Sequence, residues 1–121
     1  MMDKQELRQY IDKYRKCLLE SVEWWQKFSP DAKHGGFYNY LGRDGKVLFT
    51  DKNVRQQGRD VLLFARAYNE IEPRTEWLDL ALRGIAFIED HCFDERDGRT
   101  YYEVTEDGRP VRKRRYVVTE H

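Results

Sequence analysis

The sequence is short of the residues that staple, break or anchor a chain. Its 121 residues include two cysteines and three prolines. Cys17 and Cys92 lie far apart with no metal-type spacing, so they read as two buried free thiols in a reducing cytoplasm. No apolar run approaches the roughly 20 residues of a membrane helix. The first residues, MMDKQELRQY, lack the apolar stretch of a signal peptide, and a cytoplasmic location is expected. Net charge is missing too. The 22 basic and 22 acidic side chains cancel, without the basic excess of a nucleic-acid binder. One basic cluster, Arg109 to Arg115, reads as a solvated hairpin and helix start. No strand–GxGxxG–helix unit and no phosphate loop occurs.

What the chain does have is aromatic and charged surface. Tyr, Phe and Trp make up 14% of residues and charged residues 36%, with a mean hydropathy of −0.92. The length fits one domain of about 100–200 residues. That polarity is high for a small chain that must close a core alone, since small domains bury a lower fraction of their surface.

Residues 3–28 carry a helical period through Leu7, Tyr10, Ile11, Tyr14, Cys17, Leu18, Val22, Trp25 and Phe28, stopped by Ser29-Pro30. A turn-rich stretch, residues 31–36, precedes two runs of β-formers, Phe37 to Leu41 and Lys46 to Phe49. Asp44-Gly45 between them marks a hairpin. Thr50 or Asp51 is placed to cap a second helix, about Lys52 to Ile71. In its first half, Arg55-Gln56-Gln57-Gly58-Arg59 interrupts the apolar stripe. Pro73 ends it, and a third helix runs from about Thr75 to His91. After a turn at residues 94–98, Thr100 to Val104 and Val111 to Lys113 form a second hairpin through Asp107-Gly108. Residues 114–121 begin a fourth helix.

The order helix, hairpin, helix thus occurs twice, and Asp107-Gly108 follows Asp44-Gly45 by 63 residues. Stacked helical repeats need at least about three copies to bury their faces. The chain is therefore expected to be a single incomplete domain, residues 1–121, of a larger α-helical array. The other reading is a small autonomous helical domain.

Several residues are candidates for chemistry. His34-Gly35-Gly36-Phe37 is either a rigid loop presenting Phe37 or Tyr38 to a ligand or a tight entry to a hairpin. Arg59, an i, i+4 neighbour of Arg55, offers a fixed fork of donors suited to hydroxyl or carboxylate oxygens. It could equally pair with Asp60 or another acid on the surface. Glu120 holds the place of Gln57 by the same 63-residue offset and is either a pocket residue or an exposed helix glutamate. His34, His91 and His121 form no metal pattern and no nucleophile–base pair, and each is expected to be structural or solvated.

Taken in order, several stretches resemble the N-acylglucosamine 2-epimerase family. They are His34-Gly35-Gly36-Phe37, the run from Leu41 to Val47, Asp51-Lys52, Val54, Gln57-Gly58-Arg59, the run from Thr105 to Val111, and Glu120. The resemblance covers about Glu20 to His121. It implies an all-α fold, the N-terminal part of an (α/α)6 barrel with short β-hairpin insertions. It also implies a sugar 2-epimerase, closest in motif to the branch converting N-acetylglucosamine to N-acetylmannosamine. Other aldose–ketose isomerases and disaccharide 2-epimerases share the family. Arg59 matches the family's active-site arginine near C1–C2. One histidine would remove the C2 proton and a second return it on the opposite face, with the arginine stabilising the enediolate. Those histidines belong to later helices, so this segment alone is expected to be inactive. The resemblance implies a small sugar as substrate, no required cofactor or metal, ATP as an effector, and a homodimer for the full-length chain. No nucleic acid or membrane is expected as partner. Two other readings stand beside it. One is a non-catalytic carbohydrate-binding module. The other is an α-toroid hydrolase or lyase, for which no carboxylate pair stands out.

Overall fold

The computed structural model describes residues 3–112. Three helices and two short hairpins follow in the order α1 (Lys4–Phe28), β1 (Tyr40–Leu41), β2 (Val47–Phe49), β3 (Lys52–Asn53), α2 (Val54–Glu70), α3 (Thr75–His91), β4 (Glu103–Val104) and β5 (Pro110–Arg112). The expected fourth helix lies outside the described residues. None of the described helices is long and apolar enough to cross a membrane.

Asp3 caps α1 by accepting from the Glu6 amide at 2.9 Å, and Glu6 and Lys27 complement the helix dipole at its two ends. Only the C-terminal part of α1 reaches the core, through Leu19, Val22 and Trp25. Further back, Tyr14 is 65% exposed and Leu7, Ile11 and Leu18 about half exposed. Cys17 is exposed as well, against the expectation of two buried thiols. The apolar period of this stretch, which suggested burial, faces solvent and an open groove beside α2. Cys92 is fully buried, and that burial pushes its thiol up to about 12.

The cap of α2 is Asn53, which accepts from the Gln56 amide, and not Thr50 or Asp51. Lys52 and Asn53 are strand, paired antiparallel with Val104 and Glu103 of β4. That pairing joins residues about 50 positions apart and leaves no local signal. The core gathers Val22, Phe37, Phe64, Ala67, Trp77 and Ala81 between the helices. Helices α2 and α3 approach closely at Gly84, where a Cβ would stand 2.6 Å from both Phe37 and Val61. Phe37 stacks on Phe64 with centroids 5.6 Å apart, and Trp77 Nε1 donates to Gln26 across the α1–α3 contact.

The repeat is more exact in the backbone than in the sequence. Asp31 N donates to Gly36 O and Gly35 N to Asp31 O. Sixty-three residues on, Asp94 N donates to Arg99 O and Gly98 N to Asp94 O. The bridges Pro30–Phe37 and Phe93–Thr100 match at the same offset. So do the turns, with Gly42 N on Lys46 O and Gly45 N on Gly42 O in one, and Thr105 N on Arg109 O and Gly108 N on Thr105 O in the other. Gly45 and Gly108 take positive φ, 86° and 91°. A Cβ at Gly45 would strike Phe28, and one at Gly108 would strike His91, again the same offset.

Candidate functional site

The polar stretch of α2 has two faces. Gln57 and Asp60 continue the inward stripe of Val54, Phe64 and Ala67 and are buried. Arg55, Gly58 and Arg59 are exposed, with Gln56 half-buried beside them. What looked like an interruption of the stripe is two polar side chains at core positions, which require internal partners. Gln57 supplies them. Its Oε1 accepts from Phe37 N at 2.8 Å, and its Nε2 donates to Phe37 O at 2.7 Å and to Asn39 Oδ1 at 3.0 Å. The amide therefore pairs with the Phe37 backbone as a neighbouring strand would. Gly36, at φ 69°, allows this approach, since a Cβ there would lie 2.8 Å from Gln57 Oε1.

Asn39 links that clamp to the next turn of α2. Its Oδ1 also accepts from Asn53 N, and its Nδ2 donates to Asp60 Oδ2 at 3.3 Å. Gln56 Nε2 donates to the other Asp60 oxygen. Burial pushes the Asp60 carboxyl up to about 7, against the smaller lowering effect of the Gln56 hydrogen bond. Asp60 thus faces inward to Asn39 and does not pair with Arg59.

Above this network lies a pocket of about 230 Å³, lined by Asn39, Tyr40, Asn53, Arg55, Gln56, Arg59 and Tyr102. Amides, two phenol rings and two guanidinium groups make a surface suited to a polyhydroxylated ligand. Among the described residues Arg59 has neither an ion pair nor a hydrogen bond. It also borders an open apolar groove of about 700 Å³ between α1 and α2, where Ile11, Tyr14, Leu18, Leu62 and Ile71 are found.

Tyr38, expected in the same pocket, is elsewhere. It is half-buried in a second polar cluster built around Lys52. Gln57 fixes Phe37 on the α2 side, and the chain then places Asn39 and Tyr40, rather than Tyr38, at the Arg59 pocket. The buried Lys52 Nζ donates to Asp31 Oδ2 at 2.7 Å, Gly35 O at 2.9 Å and Glu106 O at 2.8 Å, using all three protons. It also lies 4.7 Å from the Phe87 ring centroid. Burial alone would raise the Asp31 carboxyl, but the hydrogen bonds from Lys52 and the His34 backbone, with the ammonium charge, hold it below its ordinary range. Desolvation, then the charges of Asp31 and Glu106, push the Tyr38 phenol up to about 12. His34 Nδ1 sits 3.1 Å from Asp31 Oδ2 and 3.3 Å from Glu106 Oε1. Ligand atoms of Asp31, His34 and Glu106 lie within 4.8 Å of one another, the reach of a metal site, which spacing in the sequence did not suggest. The Lys52 ammonium supplies the cation there. The cluster therefore reads as a tie between the first loop and the second hairpin.

His91 packs on Phe87 and against Gly108, away from the Arg59 pocket. Glu120 and His121 lie outside the described residues. Gln57, the position Glu120 matches by the repeat, is the buried clamp and not a pocket residue.

Residues 35–118 match the family model of N-acylglucosamine 2-epimerase (GlcNAc 2-epimerase). The chain belongs to the N-acylglucosamine 2-epimerase family. An N-acylglucosamine 2-epimerase of Mus musculus is 38% identical over 102 residues, covering 82% of this chain and 24% of that protein. One of Rattus norvegicus is 39% identical over 106 residues, covering 84% and 25%. The chain thus spans about a quarter of the length of these relatives. In fold it is similar to the structure of cellobiose 2-epimerase from Bacillus thermoamylovorans B4167, with a TM-score of 0.75 at 22% identity over 87% of this chain and 27% of that one. The helix-and-hairpin expectation holds for the described residues.

Proposed function

We propose that this chain acts as the N-terminal part, residues 1–121, of a carbohydrate 2-epimerase built on an (α/α)6 barrel. The reaction we assign is the interconversion of N-acetylglucosamine and N-acetylmannosamine by proton transfer at C2. The family match, with Arg59 presented in a polar pocket by the Gln57-Gly58-Arg59 turn of α2, carries this reading. The relatives named N-acylglucosamine 2-epimerase support the branch. The exposed apolar residues of α1, with Leu62, Leu82 and Ile85 on α2 and α3, support the barrel, because further helical hairpins would bury them.

In this reading Arg59 holds the carbonyl oxygen of the open-chain sugar. Its guanidinium donates toward the charge that grows on O1 as the C2 proton leaves, a role worth several kcal/mol in preorganised sites. The polar rim would orient the hydroxyls, with Tyr40 and Tyr102 taking the place expected of Tyr38. The assignment of Glu120 rests on the repeat and on the family resemblance. His34 and His91 are committed elsewhere, so the two bases come from neither. The proton shuttle needs no redox cofactor, and ATP would act as an effector.

The test is epimerisation by the native full chain, followed by proton NMR in deuterated water. Arg59→Ala should lower kcat by about 10²–10³-fold with the fold intact, since the side chain is exposed. Retention of wild-type kcat by that variant would remove Arg59 from the chemistry. A cellobiose 2-epimerase of Ruminococcus albus, 32% identical over 94 residues, favours a second reading, and turnover of cellobiose in preference to N-acetylglucosamine would establish it.

A further inference from the structure

The Arg59 pocket is rich in donors and poor in acceptors. Arg55 and Arg59 offer N–H groups only. A neutral sugar brings hydroxyls that donate as well as accept, so their protons need acceptors on the rim. Asn39 Oδ1 already accepts from Asn53 N at 2.9 Å and from Gln57 Nε2 at 3.0 Å, and Asn53 Oδ1 accepts from Gln56 N at 3.1 Å. Among the described residues, Gln56 Oε1 is the amide side-chain oxygen of the rim left without a bond. Its direction is set by the other end of the amide, where Nε2 donates to Asp60 Oδ1 at 3.3 Å. Asp60 is buried beneath the pocket and does not line it.

We propose that Asp60 is a positioning residue for the sugar, its carboxylate holding Gln56 with Oε1 turned to the pocket to accept from a substrate hydroxyl. This rests on the epimerase reading and supplies the acceptor that its arginines lack. The proton of Asp60 controls the arrangement. The Asn39 amide cannot turn without breaking both bonds to its Oδ1, so its Nδ2 keeps donating to Asp60 Oδ2. A proton on Asp60 therefore sits on Oδ1, facing Gln56. Two donors cannot share that contact. Gln56 turns to accept the proton with Oε1 and shows Nε2 to the sugar, and the pocket loses its acceptor. Burial pushes the Asp60 carboxyl up to about 7, against the lowering effect of the Gln56 bond, so both arrangements are populated near neutral pH. No neighbouring charge adds to that shift. Arg55 and Arg59 stand on the exposed face of α2, and the aspartates, glutamates, lysines and arginines of α1 and α3 are exposed. Lys52 of β3 is turned to Asp31, His91 packs on Phe87, and Glu103 of β4 is buried opposite Asn53. Tyr40 and Tyr102 are the other titratable groups of the rim.

The experiment uses the native full chain and the neutral sugar it turns over, N-acetylglucosamine or cellobiose. Binding is read by calorimetry with the matching sugar alcohol, N-acetylglucosaminitol or cellobiitol, which has no carbonyl and cannot be epimerised. Wild type should bind about three- to tenfold more tightly at pH 8 than at pH 6, the effect of one hydrogen bond. Binding at pH 7 should release a fraction of a proton, seen as a heat that changes with the buffer. Asp60→Asn fixes Gln56 in the turned state. It should bind at both pH values as weakly as wild type does at pH 6, release no proton, and raise KM with a much smaller loss in kcat. Gln56→Ala removes the acceptor and should flatten the same profile. An Asp60 that only stabilised the fold would change the folded fraction of its variant and leave the pH step in place. Should Asp60→Asn fail to fold, wild type and Gln56→Ala decide. Turnover with an affinity that is flat from pH 6 to pH 8 overturns the proposal and leaves the epimerase reading standing. So does a step that survives in either variant. No turnover of either sugar removes the epimerase reading, and the role of Asp60 falls with it.

Discussion

In the first helix–hairpin unit the loop carboxylate, Asp31, is buried against the Lys52 ammonium. In the second, its counterpart Asp94 is just as buried, but it bonds Arg96, whose side chain is 72% exposed. The same contrast holds one strand further on. Phe37 is locked on both sides by Gln57, while Thr100 in the matching place buries a hydroxyl without a partner among the described residues. Yet the backbone hydrogen bonds of the two loops and turns agree at a constant offset of 63 residues. The backbone path is set locally, by the aspartates that accept from amides two residues on and the glycines at positive φ. The interior is set by whichever side chain a distant element supplies. The partners that the offset assigns to the second unit, Arg115 for Lys52 and Glu120 for Gln57, lie outside the described residues.

The largest expected effect breaks the difference directly. Lys52→Met leaves Asp31 buried without its ammonium partner and should cost about 3–5 kcal/mol in urea unfolding. Arg96→Met, which removes the exposed cation of the second unit's pair, should cost under about 1 kcal/mol. Equal losses would mean that burial does not separate the two units.

Asp60 gives the next effect, through pH. Its folded pKa of about 7 lies above the ordinary 3.8. Between those values the folded chain keeps a proton that the unfolded chain has released, so its stability falls as pH rises through the window. The loss is complete above about 7 and reaches up to about 4 kcal/mol at 1.36 kcal/mol per unit. Asp60→Asn removes the titration. The Gln56 side chain, which has no other bond among those described, can turn its amide to accept from the new Asn. Melting temperatures at pH 5 and pH 8 should therefore differ less for the variant than for wild type, and parallel pH profiles would refute the shift.

Thr100→Val is the smallest change and the sharpest test of the asymmetry. Removing a buried hydroxyl that has no partner should be neutral or stabilising by about 1 kcal/mol at most. Clear destabilisation in thermal melts would mean that residues after 112 satisfy it, and the two units would then be alike inside as well.

The order of elements, the ends of α1 and α3, the two Asp-Gly turns and the repeat were legible in the sequence. Each rests on interactions within a few residues, which local patterns record. The resemblance that singled out Arg59 was legible as well. The strand at Lys52–Asn53, the Gln57 clamp, the Lys52 tie and the separation of Tyr38 from the Arg59 pocket were decided by tertiary structure. Those contacts join residues about 20 to 54 positions apart. Their side chains are ordinary surface types in any local reading. Only the arrival of a distant strand or loop made a lysine, a glutamine and an aspartate into core residues, because a buried polar group is stable only where its hydrogen bonds are met.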